Sequence, residues 1–155
     1  MGVGQRRGAG QILLRMLFLL YSGLMLWLLF GQRVGAGSPG IGAADNWNLI
    51  PLKTIKLYLD LLTGSTNGYL VRHAAVNLLG NVILFIPLGY FLPGIFTKLR
   101  SFFRCFFWVL LVITAVETVQ LATQLGSCDV DDLLLNLPGA MIGYGIWKLT
   151  AYSRR

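Results

Sequence analysis

Charge is what this sequence has least of. Asp, Glu, Lys and Arg make up only 12% of its 155 residues, against about 25% in a soluble domain, and that shortage argues against a water-soluble fold. Histidine occurs once, as His73 next to Arg72 at the start of a hydrophobic segment. No second histidine exists to complete a metal set, and no Ser–His or Cys–His pair is on offer for nucleophilic catalysis. Cysteine occurs twice, as Cys105 and Cys128 at opposite ends of one apolar run. A helical rise of about 1.5 Å per residue holds them beyond disulfide reach, and neither sits in a Cys-x-x-Cys motif. Acidic residues number six, and internal repeats are absent.

What is abundant is apolar surface: 55% of residues are hydrophobic and the mean hydropathy is +0.67. Such a composition belongs to an integral membrane protein, and the length to one small domain. The net charge of +7 does not point to nucleic acid. Its basic residues fall between apolar runs, not along one amphipathic face, so they describe membrane topology.

Residues 1–10, glycine-rich with Arg6 and Arg7, read as a flexible basic tail. Residues 11–30 contain the run Ile12 to Phe30, about 19 residues and long enough to span. A signal peptide has a shorter apolar core, about 7–15 residues, so a retained span is favoured. Residues 31–72 form a long connector on the outer side. Within it lie a glycine-rich loop, an interfacial segment around Trp47 and Pro51, and a short amphipathic helix over Lys56 to Leu62, with Ile55, Leu59 and Leu62 on one face. Three further spans follow within 73–151: about His73 to Phe91, kinked at Pro87 and ending at Pro93-Gly94; Phe102 to Leu125; and Val130 to Ala151. Residues 152–155 are a second basic tail. The fold class expected is an all-α membrane protein, a four-helix transmembrane bundle with an interfacial segment between its first and second spans.

Arg6, Arg7 and Arg15, then Lys98, Arg100 and Arg104, then Lys148, Arg154 and Arg155 fall on one side, which the positive-inside rule makes cytoplasmic together with both termini. The first connector also carries Arg33, Lys53, Lys56 and Arg72, but it is long and includes Asp45 and Asp60. The connector from Gly126 to Asp132 has no Lys or Arg and three Asp, which places it outside.

Four of the six acidic residues, Glu117, Asp129, Asp131 and Asp132, lie near that outer connector. Polar groups recur at helical spacing around them: Asn77 and Asn81; Glu117, Gln120 and Gln124; Asp132 and Asn136, whose face continues through Gly139 and Gly143. At about 1.5 Å per residue, Asn81, Glu117 and Asn136 come to one level, roughly 10 Å below the outer interface. Ionisable and amide groups at membrane depth face a protein interior or a wet cavity. A polar pocket open to the outer face is therefore expected. Its lining would be Asn48, Asn77, Asn81, Glu117, Gln120, Asp129, Asp132 and Asn136. Interhelical hydrogen bonding accounts adequately for Asn77 and Gln124. Asp129 and Asp131 also fit a solvated loop, and Asp132 a favourable helix N-terminal charge. Gly139-x-x-x-Gly143 suits close helix packing.

The chain resembles the VanZ-like membrane proteins. The matching blocks are Asn48-Leu49-Ile50-Pro51; Asn77-Leu78-Leu79-Gly80-Asn81-Val82-Ile83-Leu84-Phe85-Ile86-Pro87-Leu88-Gly89; Glu117 with Gln120; and Asp129-Val130-Asp131-Asp132-Leu133-Leu134-Leu135-Asn136 with Gly139 and Gly143-Tyr144. They cover residues 48 to 144 in order. The family often has Gly-Arg before the Asp block, where this chain has Gly126-Ser127-Cys128, and Pro138 stands where a small or polar residue is usual. The resemblance implies a bacterial cell-envelope membrane protein, some of whose relatives lower susceptibility to teicoplanin-type lipoglycopeptides.

Three functions follow as expectations. One is binding of a membrane lipid or lipid-linked envelope molecule in the polar pocket. A second is an enzyme with Glu117 as general acid or base and a divalent cation held weakly by Asp129 and Asp132. The third is a homo- or hetero-oligomeric partner of envelope machinery, assembled through the Gly139 face. No cofactor is required by the residues.

Overall fold

The computed structural model describes residues 3–31, 47–123 and 128–153. Among these the chain is almost entirely helical. α1 spans Val3–Leu26 and continues as a π-helical turn over Trp27–Gly31. β1, Trp47–Asn48, leads into α2, Lys53–Gly64. α3 covers Gly68–Ile95, and a 3-10 turn over Thr97–Arg100 connects it to α4, Phe102–Thr123. β2, Cys128–Asp129, opens directly into α5, Val130–Tyr152.

Helix boundaries depart from the sequence expectations for local reasons. Residues 3–10 are helical, not a flexible tail. The apolar run nucleates α1, and Gln5, Arg6 and Arg7 are good enough helix formers to carry it backward past exposed Gly8 and Gly10. α3 starts before His73 because Asn67 caps it, its side-chain oxygen accepting from the N–H groups of Tyr69 and Leu70 at 3.0 and 3.4 Å. It passes Pro87 and Pro93 unbroken. α5 likewise passes Pro138. On α2 the half-buried face is Ile55, Tyr58 and Leu62, while Leu59 is exposed. Arg33 and Gln124 lie outside the described residues.

Among the described residues, three helical stretches are long and apolar enough to cross a membrane: Gly8–Gly31, Gly68–Ile95 and Phe102–Thr123. α5 has 23 residues, but Asn136, Pro138 and its glycines dilute its apolar run. Those glycines serve contact instead. A Cβ at Gly139 would overlap the carbonyl oxygen of Val82, one at Gly143 that of Ile86, and one at Gly89 that of Ala140. α3 and α5 therefore touch backbone to backbone, and the Gly139-x-x-x-Gly143 face is filled by this chain's own α3.

α4 lays a single row against that pair. Cys105, Val109 and Ile113 are fully buried at four-residue spacing, and the row continues through buried Glu117 and Gln120. Phe85, Leu88, Ala140 and Tyr144 complete the core. α1 packs along α3, where Tyr21 donates to the Leu84 carbonyl at 2.7 Å and stacks near Phe91. The outer faces carry exposed Leu20, Leu79, Phe103 and Phe107 among many others, a coat that suits hydrocarbon and not water.

Gln11 and Leu14 of α1, Gly94 of α3, Arg100, and Trp147 and Thr150 of α5 line one crevice at one end of the molecule. At the other end, Gln120 of α4 donates to the Leu29 carbonyl in the π-helical turn at 3.2 Å, and β1 pairs with β2. The four long helices thus alternate in direction. One end gathers the basic connector Lys98 to Arg104, and the other gathers the acidic residues.

Candidate functional site

The acidic end is built around the start of α5. β1 and β2 pair in parallel, Trp47 beside Cys128 and Asn48 beside Asp129. This pairing carries the connector before α2 across to the Asp block. Asp129 then serves as N-cap of α5, its Oδ1 accepting from the Asp131 N–H at 2.9 Å, the usual service of an Asp at that position. Asn48 Nδ2 donates to the same oxygen at 3.0 Å, and the Thr54 hydroxyl donates to Oδ2 at 2.5 Å. Asn48 Nδ2 also reaches Thr54 Oγ1 at 3.1 Å. Asn48, Thr54 and Asp129 form one closed triangle.

Asp131 is fully buried, which corrects the expectation of a solvated loop carboxylate. α2 begins with no side-chain cap of its own: Leu52 precedes it, and its first N–H groups need an acceptor. Asp131 supplies both oxygens. Oδ1 accepts from the Leu52 N–H at 2.5 Å, and Oδ2 accepts from the N–H groups of Thr54 and Ile55 at 2.8 and 3.0 Å. A carboxylate at a helix N-terminus meets aligned donors and the positive end of the dipole. Leu52 has φ 66°, the one non-glycine residue with positive φ among those described. A leucine in that region costs about 1–3 kcal/mol and persists only where its surroundings hold it. Asp131 and the turn closed by Lys53 N–H on the Ile50 carbonyl are that hold.

Glu117, Asn81 and Asn136 approach the same start of α5 from below. Glu117 is buried, and its Oε2 accepts from the Asp129 N–H at 3.3 Å. Asn81 of α3 donates to Asp132 Oδ1. Asn136 lies one turn beyond Asp132 on the same face of α5 and is only 4% exposed, yet its Oδ1 is buried with no hydrogen-bond partner among the described residues. Leaving a buried amide oxygen unpaired costs about 1–3 kcal/mol, so it stands out in a cluster where its neighbours are bonded.

Two expected members go elsewhere. Asn77 donates to the His73 carbonyl of its own helix at 2.8 Å, and Gln120 ties α4 to α1. As for a divalent cation, both Asp129 oxygens already accept from protein donors, and no group of three or more His, Cys, Asp or Glu among the described residues is placed to hold a metal ion. Asp131, Thr54 and the Leu52 N–H are the site residues that sequence reasoning missed. The signal for them was an amphipathic helix starting at Lys53 with no Ser, Thr, Asp or Asn just before it.

The arrangement can do two things chemically. It latches the connector before α2 onto α5 through carboxylates and backbone donors, and it keeps a hydrogen-bond acceptor, Asn136 Oδ1, buried one turn below Asp132. The VanZ/LLP1 family model matches residues 18–151, which takes in α1 from Phe18 onward, the latch and all of α3 and α4. No curated protein and no solved structure matches the chain. With nearly its whole length covered by that model, the chain is a membrane protein belonging to the VanZ/LLP1 family.

Proposed function

We propose that this protein handles a lipid-like or lipid-linked cell-envelope molecule at the acidic end of a four-span bundle, with α5 as the fourth span. The observation that carries the reading is the buried, unpaired Asn136 oxygen on the face of α5 that also bears Asp132. A hydroxyl or amide donor on the head of an amphiphile satisfies that oxygen, and the apolar faces of the spans receive its tail. Asn81, bonded to Asp132, positions the rim. Glu117, Asp129 and Asp131 hold backbone donors and keep the latch closed over it. Reduced access of lipoglycopeptides such as teicoplanin to the membrane surface follows as the resistance effect. The basic end faces the cytoplasm together with both termini, and the acidic end faces outward.

Binding of a fluorescent polyprenyl-linked sugar to the purified protein tests the ligand. The wild type binds and Asn81→Ala binds about tenfold more weakly; equal binding by both removes Asn81 from the site. Labelling Lys148→Cys, in a background with Cys105→Ala and Cys128→Ser, in intact cells with a membrane-impermeant maleimide tests the orientation. Reaction only after permeabilisation agrees with it, and reaction before permeabilisation reverses it.

A further inference from the structure

At the opposite, basic end, an apolar groove of about 550 Å³ runs between the last turns of α3 and the first half of α4. Its walls include Leu92, Ile95, Leu99, Trp108 and Val112, and Lys98 lines it as well. The volume lies within the range of about 300–1,000 Å³ found for ligand sites. Lys98, Trp108 and neighbouring Phe96 are exposed. An exposed indole beside a lysine is the pairing found where hydrocarbon gives way to head groups.

The charge around the groove has one sign. Lys98, Arg100 and Arg104 cluster at this corner, and from residue 61 to residue 116 the sequence contains no Asp or Glu. Arg100 itself lines the crevice shared with α1 and α5, its Nε directed at the Pro93 carbonyl at 3.5 Å, while Tyr144 donates to the Arg100 carbonyl at 2.8 Å; Lys98 is the cation that lines the groove. The corner therefore sets one cation, Lys98, with Arg100 and Arg104 close in sequence, beside an apolar slot between two helices apolar enough to span. A water-soluble anion has no use for the slot, and an acyl chain without charge has no use for the cation.

We propose that this groove is a binding site for an anionic phospholipid, its acyl chain in the slot between α3 and α4 and its phosphate at Lys98. This site is separate from the acidic end and does not depend on the function proposed there. The lipid would brace the α3–α4 corner, where the chain turns through the single 3-10 turn at Thr97–Arg100.

The test is native mass spectrometry of the full-length protein, released from neutral detergent after incubation with equal amounts of phosphatidylglycerol and phosphatidylcholine. The wild type retains phosphatidylglycerol preferentially. Lys98→Glu lowers phosphatidylglycerol retention by about fivefold or more, the usual weight of one basic residue at an anionic surface, and spares phosphatidylcholine. Val112→Trp, which fills the slot, lowers retention of both lipids. Lys148→Glu, a charge change on α5 outside the groove, leaves both unchanged. Equal retention of the two lipids by the wild type overturns the proposal, as does an equal loss in Lys148→Glu and Lys98→Glu. Retention unaffected by Val112→Trp overturns the slot. Melting temperatures of the variants in the same detergent, expected close to wild type, separate loss of the site from loss of the fold.

Discussion

At Asp131 one carboxylate meets three backbone N–H groups of a segment almost eighty residues away. Those donors are orphans of helix geometry: α2 starts at Lys53 without a cap, and its positive end needs an anion. Removing the carboxylate leaves them part-buried and unmet and also releases the positive φ of Leu52. Asp131→Ala is therefore expected to lower unfolding stability in detergent micelles by about 3 kcal/mol, and Asp131→Asn, which keeps one acceptor oxygen, by about half as much. A change below about 0.5 kcal/mol in the alanine variant would show the latch to be dispensable. The sequence made Glu117, Asn81, Asp129, Asp132 and Asn136 visible, because polar groups inside apolar runs stand out. It hid Asp131, because a third Asp in a short connector looks like solvated charge until the partner that needs it is in place. Asn77 shows the opposite failure: it shares a helical row with Asn81, but a carbonyl of its own helix lay within reach and took its donor.

Between elements, the α3–α5 seam explains why the one long helix that is not among the three candidate spans sits so close to its neighbour. Three glycines remove side chains where backbones meet, and packing at that distance gives the dispersion contact that holds helices together in lipid. The two kinds of glycine on α5 separate the effects. Gly139→Ala drives a methyl into the Val82 carbonyl and is expected to destabilise by about 1–3 kcal/mol. Gly145, with open space where its Cβ would be, is expected to gain up to about 1 kcal/mol when changed to Ala, from helix propensity alone. Opposite signs for the pair in one unfolding series support the seam, and equal signs contradict it. Helix positions were legible from apolar period and length. Their ends were less so, because Asn67 and the helix formers ahead of α1 act locally, below the scale of hydropathy. The Gly139 face, legible as a packing surface, gave no sign of whether its partner was another chain or α3.

Across the whole molecule, chemistry is sorted by end. Lys98, Arg100, Arg104 and an apolar groove occupy one end; the carboxylates, carboxamides and a fixed backbone latch, with Lys53 and Lys56 on its helix, occupy the other. The alternation of the four long helices produces this sorting, since every second connector returns to the same side. Function hangs on whether the acidic end only ties the chain together or also receives a ligand. Asn136 divides these two roles, because its oxygen contributes a cost and no hydrogen bond among the described residues. The decisive measurement pairs stability with binding in Asn136→Leu, which keeps the branched shape and the number of side-chain heavy atoms and removes the unpaired group. Unfolding stability is expected to be unchanged or raised by about 1 kcal/mol, with binding of the polyprenyl-linked sugar weakened by about tenfold or more. Wild-type affinity in a stably folded Asn136→Leu protein would contradict that expectation.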